Sequence, residues 1–202
     1  MFIKTEKIET PHMHKLLTSS IVPRPIAWVS TMSKAGKSNL APYSFFSVAS
    51  VNPPVLTITA VPARNKQIKD TLQNVIDTGE AVVHIVTDEF GDSMNGSCAG
   101  YPADTSEIEV LQLETVASQL VAPPSLAGTK VRYECKLREV LEVNPAPGGG
   151  MLIMLDVLGV FVDESVTDGN SIDPAKINVL GKLGGNDYSD TEVKVTLLRP
   201  EG

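Results

Sequence analysis

The sequence predicts a mainly β protein, an antiparallel barrel with a few flanking helices, and three observations carry that expectation. Short apolar runs alternate with small polar residues at the period of two expected of strands with one face in a core. The 14 prolines and 15 glycines are spread through the chain as turn punctuation and are not gathered into a linker. Strands outnumber helices and are not joined by repeated helical crossovers, which argues against a doubly wound parallel sheet.

The elements follow in order. Residues 26–31 are apolar and β-branched, Ser33-Lys34-Ala35-Gly36 turns the chain, and a second arm runs through Ser38-Asn39-Leu40-Ala41-Pro42-Tyr43-Ser44-Phe45-Phe46, a β-hairpin. Proline lacks the ladder donor, so Pro42 belongs at an edge or a bulge. Residues 55–61 form the next strand. A helix follows, capped by Asn65 and closed by Gly79, with Ile68, Leu72, Val75 and Ile76 as its apolar stripe. Residues 81–87 are again β-rich. From 131 to 138 the alternation is clean, with Val131, Tyr133, Cys135 and Leu137 on one face. A turn at Pro147-Gly148-Gly149-Gly150 leads into a long apolar strand over 151–162, which makes a second hairpin.

The whole chain bounds the function. Its 202 residues suit a single domain with its core over about 20–190, long enough to bury a substantial interior. No stretch approaches a membrane span, and residues 1–10 mix Lys and Glu without an apolar signal core. Cys98 and Cys135 are far apart and fit reduced cytosolic thiols better than a disulfide framework, so a cytoplasmic location is expected. A net charge of −7 argues against nucleic acid as a partner. It leaves room for a phosphate-bearing cofactor, because fields are screened over about 8 Å and a few local cations suffice.

Two places stand out chemically. Around Pro42 gather Ala41, Ser44, Ser47, Ala49 and Ser50, beside two phenylalanines. Exposed amides and hydroxyls next to an apolar wall suit a flat polar aromatic ligand, while an ordinary hairpin with a proline bulge accounts for the same residues. On the helix, Thr71 and Asn74 share one flank of the apolar stripe and Lys69 lies at its other edge, with Arg64 just before it. Cations and donors near a helix N-terminus suit a phosphate; a solvated face with a routine cap is the plainer account. Other motifs lead nowhere. His12-Met13-His14 has no third ligand nearby and reads as a surface turn. His84 in an apolar strand reads as a satisfied core or interface histidine. Ser97 is misplaced for a nucleophile elbow, a Cys98–His84 catalytic pair is the weaker reading of both residues, and no Gly-x-Gly-x-x-Gly is present.

Arg24-Pro25, Gly36, the run from Asn39 to Phe46 and the closing Pro53-Pro54 occur in the order of a known signature, and the chain resembles the flavin reductase-like, FMN-binding split-barrel family. The similarity extends from about Pro23 to about Tyr188 and includes Lys69-Asp70-Thr71 with Asn74, a Tyr101-Pro102 segment followed by Glu107, and Leu183-Gly184-Gly185 with Tyr188. Two departures stand out: Ile108 where an aromatic residue is common, and Lys182 where Arg commonly precedes the Leu-Gly-Gly run. Lys keeps the charge but lacks the planar fork. The resemblance implies an antiparallel split barrel of Greek-key type and a homodimer binding FMN, or else FAD, near the subunit interface. It implies an NAD(P)H-dependent flavin reductase that passes electrons to free flavin, oxygen or a partner protein. The alternative is a flavoredoxin-like electron carrier without its own NAD(P)H turnover. On the same ground Lys69 and Thr71, supported by Asn74 and Arg64, are expected at the phosphate. Trp28, Ser30, Thr31, Ala41, Pro42, Tyr43, Ser44, Ser47 and Tyr188 are expected around the flavin ring. No catalytic base and no metal are required, because hydride chemistry belongs to the cofactor.

Overall fold

The computed structural model of the chain describes residues 1–61, 70–102 and 104–200. In chain order the strands are β1 (Arg24–Pro25), β2 (Ala27–Met32), β3 (Ser38–Tyr43), β4 (Phe46–Val51), β5 (Pro54–Ala60), β6 (Glu80–Ile85), β7 (Thr115–Val116), β8 (Ser125–Leu126), β9 (Val131–Glu142), β10 (Met151–Val162), β11 (Gly181–Lys182) and β12 (Tyr188–Ser189). The α-helices are α1 (Thr10–Ser20), α2 (Asp70–Thr78), α3 (Gly91–Gly96), α4 (Glu107–Val110) and α5 (Pro174–Ile177).

Seven strands form one antiparallel sheet in the order β3-β2-β6-β9-β10-β5-β4. Its edges are β3 and β4, yet only Ser44 and Phe45 separate them in the chain. Three Cα steps reach at most roughly 11 Å, so the sheet curls until its first and last strands stand close together. The result is a barrel split between β3 and β4. At the crossing the Phe45 carbonyl accepts from the Thr59 N–H at 2.8 Å, which ties the chain to the end of β5. The expected second arm through Phe46 therefore divides. It ends at Tyr43, and Phe46–Val51 belongs to the opposite edge, where it pairs with β5.

The β2–β3 hairpin keeps its register from Ala27↔Tyr43 to Met32↔Ser38. Its turn needs Gly36, whose φ of +80° is strained for any residue with a Cβ. Residues 55–60, 81–85, 131–138 and 151–162 are strands as the alternation predicts, and β9 and β10 form the second hairpin.

Two apolar clusters lie on opposite faces of β2. Inside the barrel Ala27 and Val29 meet Leu56, Ile58, Ile153 and Leu155, with Leu72 and Val75 of α2 packed against them. On the other face Ile26 and Trp28 pack with Leu40, Val86, Met94, Ile108 and Leu126. Burial on both faces explains why β2 reads as a continuous apolar run. The predicted helix ends at Gly79 as expected, but Ile76 points to solvent, and Asn65 and Ile68 lie outside the described residues. One helix was not expected at all. His12 and His14 lie on α1, whose signals are Pro11 in the first turn and Met13, Leu16 and Leu17 at helical spacing. Among the described residues no helix is long and apolar enough to cross a membrane, and no cluster of three His, Cys, Asp or Glu could hold a metal.

Candidate functional site at the outer edge of the barrel split

The outer edge of β3 is the structural centre of the site. The Leu40 N–H donates to Oε2 of Glu107 at 2.8 Å, so it points away from β2. Alternation then aims Asn39, Ala41 and Tyr43 at β2 and leaves Ser38, Leu40 and Pro42 facing outward. Pro42 thus occupies a position whose missing N–H costs no ladder bond, as expected of an edge proline. Glu107, the first residue of α4, is itself buried, and burial raises its carboxyl above the ordinary range.

Three cavities run along this edge. One of about 400 Å³ is lined by Leu17 and Ile21 of α1, Arg24, Phe45, Phe46 and Ser47, among others, and reaches Ser44. A smaller one of about 110 Å³ is lined by Ile26, Pro42, Ser44, Met94, Cys98, Lys182 and Tyr188. A third of about 450 Å³ shares Met94, Lys182 and Tyr188 with it and adds Asp92, Asn95 and Asn186. Ser44 lines the first two, so the three are contiguous through shared residues. The two larger volumes lie within the range of small-molecule sites.

Two cations face this train. Arg24 is buried, and its guanidinium donates to the carbonyls of Thr18, Ile21 (3.0 Å) and Leu183 (3.0 Å) and to the Ser44 hydroxyl (3.4 Å). Every acceptor is neutral, so the charge has no carboxylate partner among the described residues. Burial lowers its pKa. The Lys182 ammonium stands 3.9 Å over the Tyr188 ring, and its pKa is lowered by burial and then by the charge of Arg24. An edge with the hydroxyls of Ser44 and Ser47, apolar walls from Phe45 and Phe46, and two positive groups fits a flat, polar ligand that carries or gains negative charge.

The sequence-predicted residues divide into three groups. Pro42, Ser44, Ser47 and Tyr188 line the cavities, whereas Ala41 lines none of the three and packs against the inner cluster from its place in β3 opposite Val29. Trp28, Ser30, Thr31, Tyr43, Thr71 and Asn74 line none of the three, and all six are buried. The Trp28 indole N–H donates to Ser97 Oγ at 2.9 Å, and its ring packs 5.9 Å from Phe90. Ser30 donates to the Pro124 carbonyl at 2.6 Å. Asn39 donates to Thr71 Oγ1 at 2.8 Å, and Asn74 donates to Thr31 Oγ1 at 3.1 Å, pinning α2 to the hairpin. Tyr43 sits beside Thr71, and burial raises its phenol. Arg64 and Lys69 lie outside the described residues. His84 is a satisfied core histidine. Its Nε2 accepts from the Leu126 N–H at 2.9 Å, which places the proton on Nδ1 to donate to the Trp28 carbonyl at 2.8 Å. Both nitrogens are engaged, so no pair with Cys98 forms.

Sequence reasoning missed Arg24 as a site residue, together with the α1 side chains. Met94 and Asn95 stand on α3, and Met94 is buried in the same cluster as Trp28. Arg24 sits beside a proline at the head of the hairpin, and a lone arginine there carries no signal of burial.

Comparison with known proteins agrees with this architecture. The model of the flavin reductase like domain matches residues 18–173. An uncharacterized protein of Halalkalibacterium halodurans is 34% identical over 203 residues, covering 99% of this chain and 97% of its own. Among solved structures, nitrilotriacetate monooxygenase component B from Bacillus cereus superposes with a TM-score of 0.92 at 30% identity, covering 98% of each chain. The 2-nitrobenzoate 2-nitroreductase of Pseudomonas fluorescens gives 0.88 at 25% identity, covering 99% of this chain and 96% of its own.

Proposed function

Because this chain belongs to the flavin reductase-like family, we propose that it holds FMN along the outer edge of β3 and serves as an NAD(P)H-dependent flavin reductase. Its electrons would pass to free flavin, oxygen or a partner protein. The observation that carries this reading is the train of cavities meeting at Ser44, with Pro42 leaving the edge open. When bound, the flavin supplies hydride acceptance and onward electron transfer.

The chain's own residues have the remaining tasks. Phe45 and Phe46 provide an apolar wall, and the Ser44 and Ser47 hydroxyls offer hydrogen bonds at the ring edge. Arg24 and Lys182 create a positive field, which favours the negative charge a flavin gains on reduction. The buried bonds of Thr31, Asn39, Thr71 and Asn74 fix α2 against β3. In this reading Lys69 meets the phosphate near the N-terminal end of that helix, where the dipole also favours an anion.

The test is blockage. Ser44→Phe fills the junction of two cavities, whereas Val160→Phe enlarges an exposed strand residue lining none of them. FMN and FAD titrations followed by fluorescence quenching should show lost affinity in the first variant and parental affinity in the second. Undiminished binding in Ser44→Phe would move the flavin elsewhere.

A further inference from the structure

Residues 190–200 form an exposed arm. They follow β12, adopt no regular secondary structure, and are all exposed. Their sequence is nevertheless that of a half-buried strand: Val193, Val195 and Leu197 alternate with Glu192, Lys194 and Thr196. Val195 is 69% exposed and Leu197 85%. An alternating segment of this kind gains its apolar burial only on a surface that another strand edge supplies.

The same chain offers such an edge among its described residues. β4, Phe46-Ser47-Val48-Ala49-Ser50-Val51, is the terminal strand of the sheet, carries no charged residue, and has Val48 62% and Val51 85% exposed. The Phe45 carbonyl faces β5, so alternation turns the amide groups of Phe46 and Val48 away from the sheet. Soluble proteins blunt an edge of this kind with charges, prolines or a covering segment. Here neither charge nor proline lies within the strand.

We infer that the arm at 190–200 of one copy adds as a strand to the β4 edge of a second copy. The alternating part of the arm and the edge are each six residues long, Glu192–Leu197 against Phe46–Val51, and each lacks what the other provides. Because both are on one chain, each copy can receive the other's arm, and a reciprocal exchange closes as a twofold pair. The alignment to the solved Bacillus cereus structure covers 98% of this chain and leaves too few residues out to omit the arm. Phe46 and Ser47 also line the cavity of about 400 Å³, so the partner's arm borders the candidate site.

The experiment uses the full chain with a photoreactive benzoylphenylalanine at Val195, prepared as an equal mixture of light and heavy-nitrogen chains. Irradiation followed by mass spectrometry should yield light–heavy pairs joined between the arm and the peptide containing Phe46–Val51. Links confined to one chain, links to another part of the partner, or no links would each overturn the assignment. In parallel, Val193→Glu with Val195→Glu should weaken self-association by about tenfold or more, since two apolar contacts are lost. Because the arm is exposed in the single chain, urea unfolding of the dissociated protein should be unchanged. Self-association equal to that of the parent would contradict the docking.

Discussion

His84 makes the fold sensitive to mild acid in a way that can be worked out from its two bonds. Complete burial pushes its pKa down to about 4 from an ordinary 6.5. Protonation would also put a second N–H at Nε2, facing the Leu126 N–H that now donates to it. Between these pH values the unfolded chain takes up a proton that the native chain refuses, so stability falls as pH drops from about 6.5 to about 4. At 1.4 kcal/mol per pH unit, His84 alone removes about 2 kcal/mol by pH 5 and about 3 kcal/mol by pH 4. Urea unfolding of the parent and of His84→Gln across pH 7 to 4 isolates the effect, because carboxylates such as Glu107 titrate in both. The difference in stability between the two should shrink as pH falls. Parallel curves, or an NMR resonance assigned to the His84 imidazole that titrates near pH 6.5 in the folded protein, would refute the assignment of a neutral, doubly bonded His84.

Other outcomes follow from the same structure. Glu107→Ala should lower stability by about 1–3 kcal/mol in urea unfolding, because the outward Leu40 N–H loses its acceptor, while Glu107→Gln should lose less. Gly36→Ala, at φ +80°, should cost about 1 kcal/mol or more by the same assay, with FMN affinity unchanged. Lys69→Ala should weaken FMN binding far more than it alters unfolding; equal FMN affinity in that variant would remove the phosphate assignment.

Much of the fold was legible because it rests on local patterning. The alternation over 131–138, the apolar run over 151–162 and the glycines at 36 and 79 each specify their element without help from distant residues. The fate of Phe46 was not legible. Whether a strand continues or crosses to another edge depends on which neighbour accepts it, and Ser44-Phe45 look no different from the residues before them. The candidate site divides likewise. Pro42, Ser44 and Ser47 were visible as an edge proline among hydroxyls, and they line cavities. Thr31 and Thr71 carry the same hydroxyl but face inward to Asn74 and Asn39, and no sequence period distinguishes a hydroxyl that serves a ligand from one that pins a helix. Arg24 was hidden for a related reason: its partners are backbone carbonyls at Thr18, Ile21 and Leu183, which leave no trace in side-chain identity.

The central claim is that this barrel edge holds a flavin which nicotinamide nucleotide reduces. Anaerobic mixing of the FMN-loaded protein with NADH or NADPH, followed by absorbance, tests it most directly. Rapid loss of the oxidised-flavin band is expected, with its recovery when free flavin or oxygen is admitted. A flavin that stays oxidised with both nucleotides but is reduced by a partner protein would contradict the reductase and leave an electron carrier, and a protein that takes up no flavin would contradict the account entirely.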